Sequence, residues 1–142
     1  MRQFLFLSIF FFSATLSVNA QSIKFKKNTV LVDKEVYLNY ERSGTVGSVS
    51  YDLSELSSGN RVIVLVQNNA GSPSDISDDY TKIIFLKQGS NLEISGGDLR
   101  NALKLLMKNE VLRKDGTLDE TKIDLFIKNY DEQISERTLQ VR

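Results

Sequence analysis

The longest apolar run after residue 20 covers residues 62–66, five positions of which four are β-branched. Such a run is too short for a buried helix, and its β-branched content favours a strand. Because successive side chains of a strand point to opposite faces, an all-apolar strand needs cover on both faces. The run therefore predicts a strand over residues 61–67 in the middle of a sheet.

Apolar and polar residues alternate in the segments around this run, which is typical of half-buried strands. The alternation puts Val36, Leu38 and Tyr40 on one face of their strand and Tyr37 on the other. Residues 42–44 are expected to end that strand. Six or seven strands, within residues 23–94 and joined by turns at hairpin spacing, predict an antiparallel β-meander, either an open sheet or a partly open barrel.

The apolar period changes after residue 95 to the spacing of amphipathic helices. Two helices are predicted, at about 98–109 and about 119–131. Ser95 or Asp98 can cap the first, and either Asp119 or a capping box starting at Thr117 can begin the second. The apolar stripe of the second helix consists of Ile123, Phe126, Ile127, Tyr130 and Ile134. The prediction is an α+β fold with a C-terminal two-helix hairpin packed on one face of the sheet.

The first twenty residues have the three-part layout of a secretory signal peptide. Arg2 supplies positive charge, an apolar stretch follows, and Val18-Asn19-Ala20 precedes the expected cut. The apolar stretch is shorter than the roughly 20 residues of a membrane span, so cleavage is expected rather than retention as an anchor. We therefore predict a signal peptide over residues 1–20 and one exported domain over residues 21–142, periplasmic or extracellular and without a transmembrane segment.

The composition limits the kinds of partner and metal site that are expected. The chain has 18 basic and 18 acidic side chains, and loss of Arg2 with the signal peptide leaves a net charge of −1. No basic excess is available to bind nucleic acid, which is therefore not an expected partner. The chain has no histidine and no cysteine, which are the usual ligands of zinc and copper, so no such metal site is expected.

Carboxylates in one loop suggest a metal site of another kind. Asp75, Asp78 and Asp79 lie close together in the longest polar connection, and Asn68 and Asn69 precede them. Carboxylate and amide oxygens are the ligands that calcium prefers. The loop is therefore a candidate calcium site, and the alternative is a solvated acidic turn.

Tyrosines on strands are the candidate binding residues. A tyrosine on the open face of a sheet can contact a protein or a glycan through both its ring and its hydroxyl. Tyr40 and Tyr51 share the apolar faces of their strands and are expected to pack in the core. Tyr37 lies on the opposite face in this pattern and is the predicted surface residue.

The chain resembles the small exported proteins of unknown function that are common in Bacteroidota. The resemblance is carried by the Phe-rich leader that ends in Val18-Asn19-Ala20 with Gln21 next, and by residues 109–118 followed by residues 126–134. It implies a bacterial protein of the cell envelope or exterior. It transfers no catalytic or binding residue to this chain.

These patterns predict a non-enzymatic binding or accessory module of the periplasm or cell exterior. Its partner would be a protein or glycan of the envelope, and calcium is the one cofactor suggested by the sequence. The alternative is a carboxylate-dependent hydrolase of the cell envelope, since glycosidases need only two acidic side chains. No spacing in the sequence pairs two of the 18 acidic residues in a pocket.

Overall fold

The computed structural model describes residues 21–69 and 76–139, and the predicted signal peptide lies outside this part of the chain. Seven strands form one antiparallel sheet in which each strand pairs with its neighbours in sequence. The sheet is open, because β1 and β7 do not pair with each other. The strands are β1 Ile23–Lys26, β2 Thr29–Val32, β3 Glu35–Thr45, β4 Ser48–Ser54, β5 Arg61–Asn68, β6 Tyr80–Phe85 and β7 Ser90–Ser95. The predicted meander is confirmed.

The chain after β7 is mainly helical. It forms α1 Leu99–Lys108, a 3₁₀ turn Glu120–Lys122, α2 Ile123–Tyr130 and α3 Ile134–Leu139. Asp98 caps α1, since its carboxylate accepts the Arg100 N–H at 2.9 Å. Asp119 caps the 3₁₀ turn in the same way, accepting the Thr121 N–H at 3.2 Å. None of the helices in the described ranges is long and apolar enough to cross a membrane.

The core lies between the helices and one face of the sheet, which we call the helix face. The buried sheet residues include Val30, Leu38, Leu53, Ile63, Leu65, Ile83, Phe85 and Leu92. The helices contribute Ala102, Leu103, Leu106, Ile123 and Phe126. The rings of Phe126 and Phe85 meet edge to face with 6.4 Å between centroids, a favourable aromatic geometry. This arrangement confirms the predicted α+β fold with the helices packed on one face.

Strand β5 is central, as predicted, because it pairs with β4 on one side and β6 on the other. A β-bulge interrupts it at Val62, since the flanking pairs are Leu53–Ile63 and Ser54–Arg61. The one-residue shift turns Val62 to the helix face, where it packs against the core. Val64 and Val66 are left half-buried on the opposite face. The sequence predicts cover on both faces of β5, but the face opposite to the helices is covered only in part.

The second predicted helix is divided by a bend. Its stripe was expected to continue to Ile134, but α2 ends at Tyr130 and Gln133 adopts a left-handed φ of +48°. The bend brings α3 to β7. The Glu93 side chain lies on the face of the sheet opposite to the helix face. Its carboxylate accepts the backbone N–H and the hydroxyl of Ser135, each at 2.7 Å. These bonds satisfy a carboxylate that is buried at 5% exposure.

Candidate binding site

A second β-bulge decides where Tyr37 points. The pairs on either side are Leu31–Val36 and Val30–Leu38, so Tyr37 is the extra residue of β3. Tyr37 and Leu38 are both buried, at 7% and 0% exposure, whereas Val36 is 50% exposed. The predicted faces of Val36 and Tyr37 are therefore wrong, because the bulge shifts the alternation by one residue. Tyr37 is not an exposed surface residue.

Tyr37 instead connects β3 to the loop that follows α1. Its hydroxyl donates a hydrogen bond to the carbonyl of Arg113. Burial, together with the nearby charge of Asp115, raises the pKa of Tyr37 to about 12. The loop approaches closely at Gly116, where φ is +81° and a Cβ would lie 2.6 Å from the Tyr37 carbonyl oxygen. These contacts give Tyr37 a structural role.

Three aromatic side chains, Phe25, Tyr40 and Tyr51, form a cluster that we call the aromatic surface. Their ring centroids lie between 5.2 and 5.7 Å apart. Tyr40 pairs across the sheet with Leu53, and Tyr51 pairs with Leu65. Because both partners are fully buried on the helix face, the predicted shared face of the two tyrosines is confirmed. All three rings pack against the core, yet each keeps part of its surface exposed.

A cleft of about 220 Å³ separates the aromatic surface from the start of α1. Phe25 and Tyr51 line one side, and residues 97–100 line the other. Gln67 lies between them and donates a side-chain hydrogen bond to the Gly97 carbonyl. A Cβ at Gly97 would lie 2.8 Å from the Gln67 amide nitrogen, so glycine permits this close approach. The wall opposite the aromatic rings is thus fixed to the sheet.

Two arginines border the aromatic surface. Arg42 is the cross-strand partner of Tyr51 on the helix face, and Arg100 lines the cleft. Both side chains are exposed. Within residues 21–69 and 76–139, neither guanidinium takes part in an ion pair or a hydrogen bond. The aromatic surface therefore combines apolar rings with two guanidinium groups that pair with no described side chain, and the Asp98 carboxylate lines the same cleft.

The sequence pattern did not identify all of these residues. Phe25 could have been found, because it alternates in phase with the apolar Ile23. Arg42 was assigned to the break after a strand, but β3 continues to Thr45, so that boundary is corrected. Arg100 shows no sequence signal, since only the docking of α1 brings it to the cleft.

A larger cleft, of about 490 Å³, lies where α1 ends. Ion pairs hold its walls: Arg113 contacts Asp119 at 3.1 Å, and Lys122 contacts Glu110. The hydrogen bond from Lys122 lowers the pKa of Glu110, which agrees with a charged pair. Lys108 and Lys114 also line this cleft and form no ion pair among the described residues, but its one aromatic side chain is the buried Tyr37. We therefore favour the aromatic surface, where partly exposed rings and unpaired charge adjoin, as the candidate binding site.

The predicted calcium ligands are described in part, because Asp75 lies outside the described residues. Asp78 is half-buried, and its Oδ1 atom has no hydrogen-bond partner in the described structure. The Asp79 N–H donates to the Ile76 carbonyl at 3.2 Å, as in a tight turn. Among the described residues, no group of three or more acidic side chains is arranged to hold a metal ion. Calcium binding by Asp75, Asp78 and Asp79 stays a prediction.

Comparison with known proteins gives no match. No protein-family model matches the chain, and neither does any curated protein or solved structure. A function must therefore be inferred from the residues of this chain and their geometry, without a relative from which roles could be transferred.

Proposed function

We propose that this protein is an exported, non-enzymatic binding module and that its ligand lies on the aromatic surface. One observation carries the proposal: three half-buried rings adjoin a cleft and two unpaired arginines on the helix face. Aromatic and arginine side chains are enriched where proteins bind one another, because they offer a large contact area with directed polar groups. The expected ligand is a protein or glycan of the cell envelope.

The rings supply affinity and the arginines supply selectivity. Covering the exposed parts of Phe25, Tyr40 and Tyr51 removes apolar area from water, which favours binding. Their packing against the core restricts the side chains before the ligand arrives, so little conformational entropy remains to be lost. Arg42 and Arg100 can each form two parallel hydrogen bonds with a carboxylate. A ligand that combines rings or apolar groups with negative charge would fit this surface best.

A thermal-melt screen of the mature protein, residues 21–142, tests the ligand class. The probes are glycans, peptides, lipids, and calcium followed by EDTA. A ligand at about 100 times its dissociation constant adds about 2.7 kcal/mol, which raises the melting temperature by several degrees. A calcium effect that EDTA reverses and Asp78→Asn removes would support the predicted metal loop. Mass spectrometry of the protein from the producing cell tests export, with Gln21 expected as the first residue.

Variants of the aromatic surface test where the ligand binds. We expect Tyr51→Ala and Arg100→Ala each to weaken binding of a ligand found in the screen by about tenfold, or about 1.4 kcal/mol. Arg100 is exposed, so its replacement should leave the fold intact. Binding is measured by isothermal titration calorimetry.

The matched control is Val36→Ala. Val36 lies on β3, as Tyr40 does, and is 50% exposed, but it lies on the face opposite to the aromatic surface. The control should bind as the wild type does. Equal affinity in Arg100→Ala, Tyr51→Ala and the wild type would show that the ligand binds elsewhere, and the proposed function of the aromatic surface would then be wrong.

A further inference from the structure

Strand β3 continues beyond the strand that pairs with it on one side. The last β2–β3 pair joins Thr29 to Asn39, and the Tyr40 N–H then donates to the Asn28 carbonyl at 2.8 Å in the β1–β2 turn. Residues 41–45 pair with β4 on their other side and are all exposed. No described segment pairs with them on the β2 side. We call residues 41–45 the open edge.

The backbone of the open edge presents polar groups that a strand could bind. In an antiparallel strand, alternate residues direct both their N–H and C=O groups to the same neighbour. Tyr40 directs its N–H toward β2, so Arg42 directs its N–H and C=O groups to the same side, where β2 is absent. Unpaired groups of this kind form a template for an added strand.

The charge around the open edge indicates which kind of partner strand would bind there. Lys26, Lys27 and Arg42 lie at its beginning, and Glu41 is the one acidic residue of residues 41–45. None of the three basic side chains forms an ion pair within the described ranges. This local excess of positive charge contrasts with the near-neutral chain. It favours an acidic partner and disfavours edge-to-edge pairing of two copies, which would bring like charges together.

The β7 edge of the sheet is already covered, in contrast to the open edge. The Asp131 carboxylate accepts the Glu93 N–H of β7 at 3.0 Å, and the Glu132 N–H donates to the Glu93 carbonyl at 2.8 Å. The Glu132 carboxylate also accepts the Ser95 N–H at 2.9 Å. The segment after α2 therefore binds backbone groups of Glu93 and Ser95 on β7, whereas residues 41–45 have no such cover in the described chain.

We propose that the open edge binds an extended, acidic segment of a partner polypeptide as an added β-strand. The inference rests on the proposed binding function and names the partner class. A partner side chain opposite Arg42 would lie on the helix face, diagonal to Tyr40. An acidic residue at this position would pair with the Arg42 guanidinium, and its methylene groups would cover the Tyr40 ring. Gly44, two residues further on, offers no side chain to the partner, because a Cβ there would clash with the Ser48 carbonyl oxygen.

The test uses a peptide of alternating valine and glutamate, with a peptide of alternating valine and lysine as the charge control. We expect the mature protein to bind the first peptide more tightly than the second by about tenfold or more, and the Arg42 amide to exchange more slowly in the complex. Hydrogen exchange followed by NMR reports this amide directly. Failure of the acidic peptide to bind, or unchanged exchange at Arg42, would overturn the inference.

Two variants separate backbone pairing from charge. Arg42→Ala removes the charge but keeps the N–H, whereas Arg42→Pro removes both. Since that N–H points away from β4, proline should not interrupt the β3–β4 ladder, and a melting curve checks the fold. Arg42→Pro should lose clearly more affinity than Arg42→Ala; equal losses would contradict strand addition. Binding of a glycan that depends on Tyr51, without binding of the acidic peptide, would keep the proposed function and reject this inference.

Discussion

Replacing Phe126 with alanine is expected to lower the free energy of unfolding by about 4 kcal/mol. Phe126 is 2% exposed and joins α2 to the sheet through its contact with Phe85. The substitution removes the ring and leaves a cavity that the surrounding residues can fill only in part. Domains of this size are stable by roughly 5–15 kcal/mol, so the variant would lose a large part of its stability. Denaturant unfolding of the mature protein measures the change.

The neighbouring residue supplies the matched control. Leu125 lies on the same helix but is 61% exposed, so Leu125→Ala should change the free energy of unfolding by less than about 0.5 kcal/mol. Similar effects of the two substitutions would show that α2 is not packed on the sheet through Phe126. The comparison therefore tests the helix–sheet interface independently of any ligand.

Stability is expected to fall between about pH 10 and about pH 12 because of Tyr37. Its pKa is raised to about 12, so folding favours the neutral phenol. The stabilisation is fully present below the unfolded pKa of about 10 and is lost as the pH rises through the folded value. A shift of this size corresponds to about 3 kcal/mol, measured as the free energy of unfolding at each pH.

The control for this effect is Tyr37→Phe. Phenylalanine keeps the buried ring but cannot ionise and cannot donate to the Arg113 carbonyl. The variant should lose about 1 kcal/mol at neutral pH from the missing hydrogen bond and should show a smaller loss above pH 10 than the wild type. The same alkaline loss in both proteins would assign the effect to other groups.

The periodicity of the sequence was sufficient to predict the strands, their antiparallel meander and the two helical regions on one face, because each element keeps its apolar spacing over several residues. It did not decide between an open sheet and a partly open barrel, and it did not predict the bend that divides the second helix. It could not place Val36, Tyr37 and Val62 on their correct faces. A β-bulge inserts one residue without changing the composition of the strand, so the alternation looks continuous in the sequence while the side chains change face.

The candidate site was predictable only in part. The shared face of Tyr40 and Tyr51 followed from alternation, but their remaining exposure depends on where the helices end on the sheet. Arg42 and Arg100 are separated by 57 intervening residues, and the pairing of β3 with β4 and the docking of α1 bring both to the aromatic surface. Such long-range relations leave no local pattern in the chain.

The cover on β7 limits what the protein can assemble into. An open filament of sheets requires that each molecule offer two free edges, one to the molecule before it and one to the molecule after it. Asp131 and Glu132 close the β7 edge by occupying backbone groups of Glu93 and Ser95. Strands can then be added only on the other side of the sheet, where β1 is the terminal strand and residues 41–45 form the open edge, so one molecule cannot extend its sheet into another through β7.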